Sequence, residues 1–338
     1  MQLCRSAGFP LPRLSRRTFK KGAVLVVVNN PLRSLFFVWG ILLLGLPFAV
    51  AADTANAKPE GIEQPTVQQI NHYGQATQIA RQRQAMLLVS VEPSLLQSPT
   101  PATNVSSTAV RTWLERRDVQ DLFASSKTPW VFCQSDINDL SAIQGAHTRL
   151  VDHPSLVELR RGPGLFVVDY AHAESGLHGR IVSILPRTPG KYYHFFPAHI
   201  NDLATLPAGT LTQRSMILAV RIHPERPQSA LGMCDPMLAS EAAAHSTHQA
   251  TIGKQGHHNW QSRSQAIASK LAGAGSPSEV CAESWKDQDL LDSCVDCVAS
   301  WRQSSGHWNA VRSRQSAYGY DIRRGSSGIW YATGIFAR

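Results

Sequence analysis

The sequence predicts an α/β protein of two modules behind an N-terminal export leader. Three observations carry this. Between about 69 and 205, helix-like segments alternate with short apolar ones. From about 210 the composition shifts: five of the eight tryptophans (Trp260, Trp285, Trp301, Trp308, Trp330) fall in the last 79 residues, and histidines gather with them. Residues 1–51 stand apart as a basic stretch followed by an apolar run. With 338 residues, 43% hydrophobic and 17% charged, the chain is long enough for about two domains with real cores.

The leader comes first. The run "SLFFVWGILLLGLPFAVA" follows a basic region, and "AVA" at 49–51 supplies the small residues that signal peptidase needs. It also has roughly the length of a short membrane span, so a retained anchor is the alternative to cleavage. Pro47 and the polar "ADTANAKPE" that follows favour cleavage, and "SRRTFKK" at 15–21 adds a weak twin-arginine pattern. Residues 52–68, polar with two prolines, read as a linker. Either reading places the body of the protein outside the cytoplasm, periplasmic or secreted, with membrane contact only through an uncleaved leader.

Charge excludes one class of partner. The formal +9 includes seven positive residues within 1–51 and no acidic one there; subtracting them from +9 leaves +2 for the rest, without a block of like charge. Nucleic acid is therefore not an expected partner.

In the first module, "INHYGQATQIARQRQ" reads as a helix and "AMLLVSVEP" as a buried strand. A second helix, "STAVRTWLERRDVQDLFASS", precedes the strand "PWVFCQSD". After a helical or irregular stretch, "GLFVVDY" and "GRIVSILP" read as two neighbouring strands, and "HINDLATL" as a closing helix. An "NVS" sequon at 104–106 carries no weight in a protein of bacterial type.

In the second module, "CDPMLASEAAAHSTHQATIG" is a helix with its own punctuation: Asp235 as N-cap, Pro236 at the first position, Glu241 in the early turns and Gly253 at the end. "WQSRSQAIASKL" makes another, ended by "GAG". "DQDLLDSCVDCVASWRQS" is a third, with Leu290, Leu291, Cys294, Cys297, Val298 and Trp301 along one face. "AYGYDIRRGSSGIWYATGIF" reads as a β-hairpin with Gly-rich turn residues.

Beyond the leader's Cys4, five cysteines remain (Cys133, Cys234, Cys281, Cys294, Cys297), an odd number from which no disulfide scaffold follows. Cys294 and Cys297 form Cys-x-x-Cys, but on the apolar face of a helix. Redox pairs stand at a helix N-terminus after a strand. Packing thiols, or one of them bridged to Cys281, are the better reading. Ser304, Ser305 and His307 are too close in sequence for a hydrolase triad, and no Gly-x-Ser-x-Gly accompanies them.

Three short motifs draw attention to a possible cleft. "GHHNWQSR" at 256–263, "CAESW" at 281–285 and "SSGHW" at 304–308 each set a polar residue beside an aromatic, at the start or end of a helix. His245 and His248, at i and i+3 on one helix, form a candidate metal pair whose plainer reading is a solvated face; His258 is expected to be exposed if His257 points inward.

Two resemblances follow from these segments. The element order of 69–205 resembles the thioredoxin fold, with Pro163 of "RGPGLFVVDY" where that family keeps a cis proline. The family's Cys-x-x-Cys would follow "LLVSVEP", where this chain reads "SLLQSPTPATNVSS", so the resemblance implies a redox-silent, thioredoxin-like domain. Residues 210–338 resemble the CAP superfamily (cysteine-rich secretory, antigen 5 and pathogenesis-related 1 proteins) in its compact bacterial form, an α-β-α sandwich. There "LTQRSMILAVRIHPERPQSALGMCDPMLASEAAAHSTHQA" fits the opening helices and "GHHNWQSR" fits "SHxGFxxR". "CAESW" is set on "GENIA", and "SWRQSSGHW" on "WxxSxGHRxNI".

That resemblance implies a cleft formed by His257, Glu283 and His307, with Trp260 and Arg263 on the family aromatic and arginine. Some members hold zinc or magnesium there, so a divalent metal such as zinc and a metal-free charge network both stay open. The chain departs from the family pattern in three places: Ser304 stands for a second glutamate, Ser284 for the asparagine of "GEN" and Trp308 for the arginine after the histidine. The expected function is binding or scaffolding of a small ligand, peptide or envelope component. A metal-assisted hydrolase with Glu283 as general base, and a thiol oxidoreductase, are the alternatives.

Overall fold

The computed structural model describes residues 69–92, 114, 116–136, 138, 140–143, 146–187, 197–271 and 276–337. The expected leader, linker, sequon, "SLLQSPTPATNVSS" segment, most of "STAVRTWLER" and the "GAG" at 273–275 lie outside them. The described residues belong to one compact unit of mixed α/β structure.

The first sheet comes from residues before 187. Strand β1 (Gln69–Ile70) is followed by helix α1 (Tyr73–Gln82), whose N-terminus is capped by His72 accepting from the Gln75 amide. Strand β2 (Met86–Glu92), helix α2 (Arg117–Ala124) and strand β3 (Trp130–Asp136) come next. The irregular stretch then folds as a hairpin, β4 (Leu140–Ile143) and β5 (Ala146–Arg149), and a run of 3-10 turns at Pro154–Arg161. Strands β6 (Gly164–Asp169) and β7 (Arg180–Pro186) complete a five-stranded sheet in the order β1-β3-β2-β6-β7. The first three are parallel and the last two join antiparallel. Every residue of β6 is buried, which explains why "GLFVVD" is a continuous apolar run rather than an alternating one. The peptide bond before Pro163 is trans, so the expected cis proline is corrected.

Helices α3 (Pro197–Ala204) and α4 (Leu211–Ile222) lead into the second half. Thr210 and Gln213 form a reciprocal capping box at the start of α4. From Arg214 to Val220 every residue of α4 is buried, as a helix enclosed on all sides requires. It packs on β7 of the first sheet and also on the second sheet.

That second sheet has the order β8-β10-β11-β9, from Met233–Cys234 (β8), Ser278–Glu283 (β9), Ala317–Arg324 (β10) and Trp330–Ala337 (β11). Helix α5 (Pro236–Ile252) has the expected cap, Asp235 accepting from the Leu238 amide, and ends at Gly253 in the left-handed region. It lies flush on β10 because Gly319 has no side chain: a Cβ there would come within 2.2 Å of the Leu238 and Ala239 backbone. Helices α6 (Trp260–Lys270), α7 (Leu290–Gln303) and α8 (Ser305–Arg312) complete the fold. "SEVCAE", expected as the join to a helix, is instead strand β9, fixed by pairing with β11.

The boundary expected between 205 and 210 falls between α3 and α4, and one hydrophobic core runs across it from Leu88 and Phe166 to Trp301 and Tyr320. Polar ties cross it as well. The buried Arg214 guanidinium donates from Nε to Ser183 Oγ (2.7 Å) and from its terminal nitrogens to the carbonyls of Leu203, Leu206 and Pro207 (3.4, 3.1 and 2.7 Å). Burial lowers its pKa to about 10, so it remains charged at neutral pH. No helix among the described residues is long and apolar enough to cross a membrane.

Arg214→Met should therefore strip partners from a buried hydroxyl and three carbonyls and cost roughly 3 kcal/mol in urea unfolding. Residues 69–337 are expected to unfold in one transition; two separated transitions would contradict a shared core.

Candidate functional site

The site forms where β9 meets α5, α6 and α8. In a strand, alternate residues face opposite sides. Val280 and Ala282 enter the main core, whereas Glu279 and Cys281 face the histidine-bearing elements. The Glu279 side chain is wholly buried, and such a carboxylate must be paired to be tolerated. Its Oε1 accepts from His257 Nδ1 at 3.0 Å and lies 3.8 Å from His245 Nε2. Its Oε2 lies 2.7 Å from Arg263 Nη2. Burial alone would raise the Glu279 carboxyl; the His257 hydrogen bond and the Arg263 guanidinium outweigh it and leave the pKa below the usual carboxylate value.

His257 belongs to the turn before α6, which is held by buried amide chemistry. Gln249, fully buried on α5, donates to Thr333 Oγ1 (2.9 Å) and accepts from the Gly256 amide (3.0 Å). His245 Nε2 donates to the Gly256 carbonyl at 2.9 Å, and Gln255 donates to the Cys281 carbonyl at 3.2 Å. Asn259 takes a left-handed conformation that turns the chain into α6, and the Arg263 guanidinium lies 5.3 Å from the centre of the Trp260 ring. The loop is thus bonded on both sides, and His257 is set by it.

His307 is delivered from the other side. Ser304 ends α7 and caps α8, accepting from the His307 amide, which places the histidine in the first turn of α8. The two Nε2 atoms of His257 and His307 stand 3.2 Å apart. Because His257 Nδ1 donates to a carboxylate, its Nε2 carries the lone pair when the ring is neutral. Burial, then the neighbouring His257, lowers the His307 pKa and favours the neutral form of His307. The His257 side chain is 42% exposed, so the pair is open to solvent.

Of the three sequence-derived cleft residues, the structure brings together His257 and His307 but not Glu283. Glu283 is exposed at the end of β9, about 13 Å beyond Glu279 along the strand. Both carboxylates have the same strand parity; only Glu279 lies at the depth where α5 and α6 cover the sheet. Trp260 and Arg263 do lie at the site, Arg263 on Glu279 itself. His245, expected on a solvated face, is buried against Glu279, while its partner His248 is exposed. His258 is half-buried and bonds the Lys254 carbonyl. Cys281, which the sequence offers only as a possible bridging partner for Cys294 or Cys297, lies 3.8 Å from His257 Nδ1.

Ligand atoms of His245, Glu279 and Cys281 lie within 4.8 Å of one another. This trio is already committed: His245 Nε2 spends its proton on Gly256, Arg263 holds the carboxylate, and burial with Glu279 nearby raises the Cys281 pKa so that it stays a thiol. Cys294 and Cys297 are fully buried within α7, and burial raises both, which removes the thiolate that redox chemistry needs. Cys234, Cys281, Cys294 and Cys297 all carry free thiols, so no bridge to Cys281 forms.

No protein-family model matches the chain, and no curated protein matches it significantly.

Glu279→Gln should destabilise the protein by roughly 2–4 kcal/mol at neutral pH, because Arg263 and His257 lose a buried countercharge. The sign with pH follows from the lowered carboxyl: its contribution is present above about pH 4.5 and is lost as pH falls through the folded-state pKa. The gap between wild type and variant in thermal melts should therefore narrow in acid; a constant gap would show that charge is not the cause.

Proposed function

We propose that this chain is an exported binding protein whose His257–His307 pair takes a divalent metal ion or the ligand that such an ion presents. The observation that carries this is the 3.2 Å separation of the two Nε2 atoms with Glu279 behind His257. Two imidazole nitrogens sharing a tetrahedral zinc ion at about 2.0–2.1 Å stand about 3.4 Å apart. A carboxylate behind a ligating histidine fixes its tautomer and raises its basicity. Both features are present, so the residues fit the group: His257 and His307 would hold the ion, and Glu279 would orient His257. A bound ion would supply a Lewis acid with open positions for water or ligand.

The CAP-like reading gains a better register from the strand. Set on "SEVCA" at 278–282, the motif "GENIA" puts Glu279 on the glutamate and matches the final alanine. The thioredoxin-like reading of 69–205 is supported by the helix–strand alternation that ends in the neighbouring strands β6 and β7. A hydrolase is less well served. Glu279 is buried and engaged by several groups, and Glu283 is too far along β9 to act as a base at the histidine pair.

After chelator treatment, equilibrium dialysis against zinc should load about one ion per wild-type chain. His257→Ala and His307→Ala should abolish retention, Glu279→Gln should weaken it about 10- to 100-fold, and Glu283→Gln should leave it unchanged. Equal loading of all four variants would overturn the proposal.

A further inference from the structure

A cleft of about 440 Å³ opens at the seam between the two halves, away from the residues discussed above. Its walls come from the 3-10 turns at 154–161, β7, the start of α4, the loop before α7 and the β10–β11 hairpin. Apolar surface is supplied by Val157, Ile184, Leu211 and Trp330, and Glu158 is among the groups lining it. Glu158 is only 4% exposed. One of its oxygens, Oε1, accepts from the Leu290 amide at 2.6 Å, capping the N-terminus of α7 from 132 residues away. The other, Oε2, is buried without a hydrogen-bond partner.

A helix cap explains one oxygen and leaves the second unexplained. The surrounding charges are acidic on balance. Asp289 and Asp292, from the cap and first turn of α7, both act on Glu158. Asp287 stands at the rim. The two nearby guanidinium groups are already matched, Arg161 to Asp289 at 2.6 Å and Arg324 to Asp287 at 3.0 Å. An anion entering the cleft would meet these carboxylates; a neutral apolar ligand would leave Oε2 unpaired. A cation on an apolar stem satisfies both, and Trp330 adds an aromatic surface of the kind cations favour.

We propose that this cleft is a second ligand site that takes a primary alkylammonium group, with Glu158 Oε2 as its acceptor. The volume falls within the range of small-molecule pockets, about 300–1,000 Å³, so a small amine is the favoured source of that group. Burial first, and then Asp289, push the Glu158 carboxyl up to about 8 despite Arg161 and the Leu290 amide, so the empty cleft holds it as a neutral acid near pH 7. An arriving ammonium stabilises the carboxylate, and the carboxyl proton leaves to the buffer.

The test is calorimetric titration of the full chain with n-butylamine, n-butanol and butyrate. The amine should bind, releasing up to about one proton at pH 7, whereas the alcohol and the acid should not bind. Glu158→Gln keeps an oxygen to accept from Leu290 but loses the charge, and should weaken amine binding at least about tenfold. In wild type, amide shifts on adding amine should centre on Leu290 and Trp330, a readout that survives if the variant does not fold. Equal binding of alcohol and amine, or shifts elsewhere, would overturn the proposal. A lysine side chain in a blocked lysine amide offers the same group. Tighter binding of that compound than of butylamine supports the site with a peptide as source, and weaker binding supports it with a free amine as source.

Discussion

Burial of the Arg214 guanidinium is the constraint on which the rest of the structure depends. Taking a charge this size out of water costs several kcal/mol unless its donors are satisfied, and here they are met by a strand hydroxyl and the carbonyls that end α3. The partners come from two directions: Ser183 belongs to the first sheet, and the carbonyls belong to the end of α3 and the connection from it into α4. Moving α4 away from either would leave an uncompensated charge. Since α4 also packs on the second sheet, the guanidinium fixes where the two sheets stand. The cleft containing Glu158 exists only because they stand there.

The histidine pair depends on a longer chain of support. Gly319 lets α5 lie against β10; α5 carries Gln249 and His245; these hold the 254–259 turn; and the turn presents His257. Glu279 completes this from β9. Two of the buried carboxylates, Glu279 and Glu158, make an instructive contrast. Glu279 is approached by two histidines and an arginine, and its pKa falls. Glu158 keeps one oxygen on a backbone amide, faces other acids, and its pKa rises. Burial is common to both; the partners decide the sign.

What the sequence disclosed and what it did not divide along physical lines. Helix α5 was legible because its signals are local: Asp235, Pro236 and Gly253 act within a residue or two of where they stand. Helix α7 and the β10–β11 hairpin were legible from apolar spacing and turn chemistry. Strand β9 was not, because "SEVCAE" has little strand character of its own and takes it from β11 across about 50 residues. The choice between Glu279 and Glu283 was equally hidden. Parity along a strand is visible in sequence, but the depth at which a covering helix ends is not. Nothing in "LTQRSMILAVRI" marks Arg214 as special, and only the folded arrangement shows that α4 is enclosed from Arg214 to Val220.

The segment that opens with Glu279 also shapes the cleft, and here rigidity matters more than composition. Beyond β9 the chain is tied to the hairpin at each step. The Ser284 amide donates to the Trp330 carbonyl, and the Trp330 amide returns to Ser284 Oγ. Asp287 donates from its backbone to the Gly328 carbonyl, and the Trp330 ring nitrogen donates to the Gln288 carbonyl. Gly328, with φ +88°, is needed at that contact: a Cβ there would come within 2.2 Å of the Asp287 carboxylate. A wall held this way loses little conformational entropy when a ligand arrives, so contacts made in the cleft are not offset by ordering it. The same bonds hold the start of α7, and with it the Leu290 amide that engages one Glu158 oxygen and leaves the other without a partner.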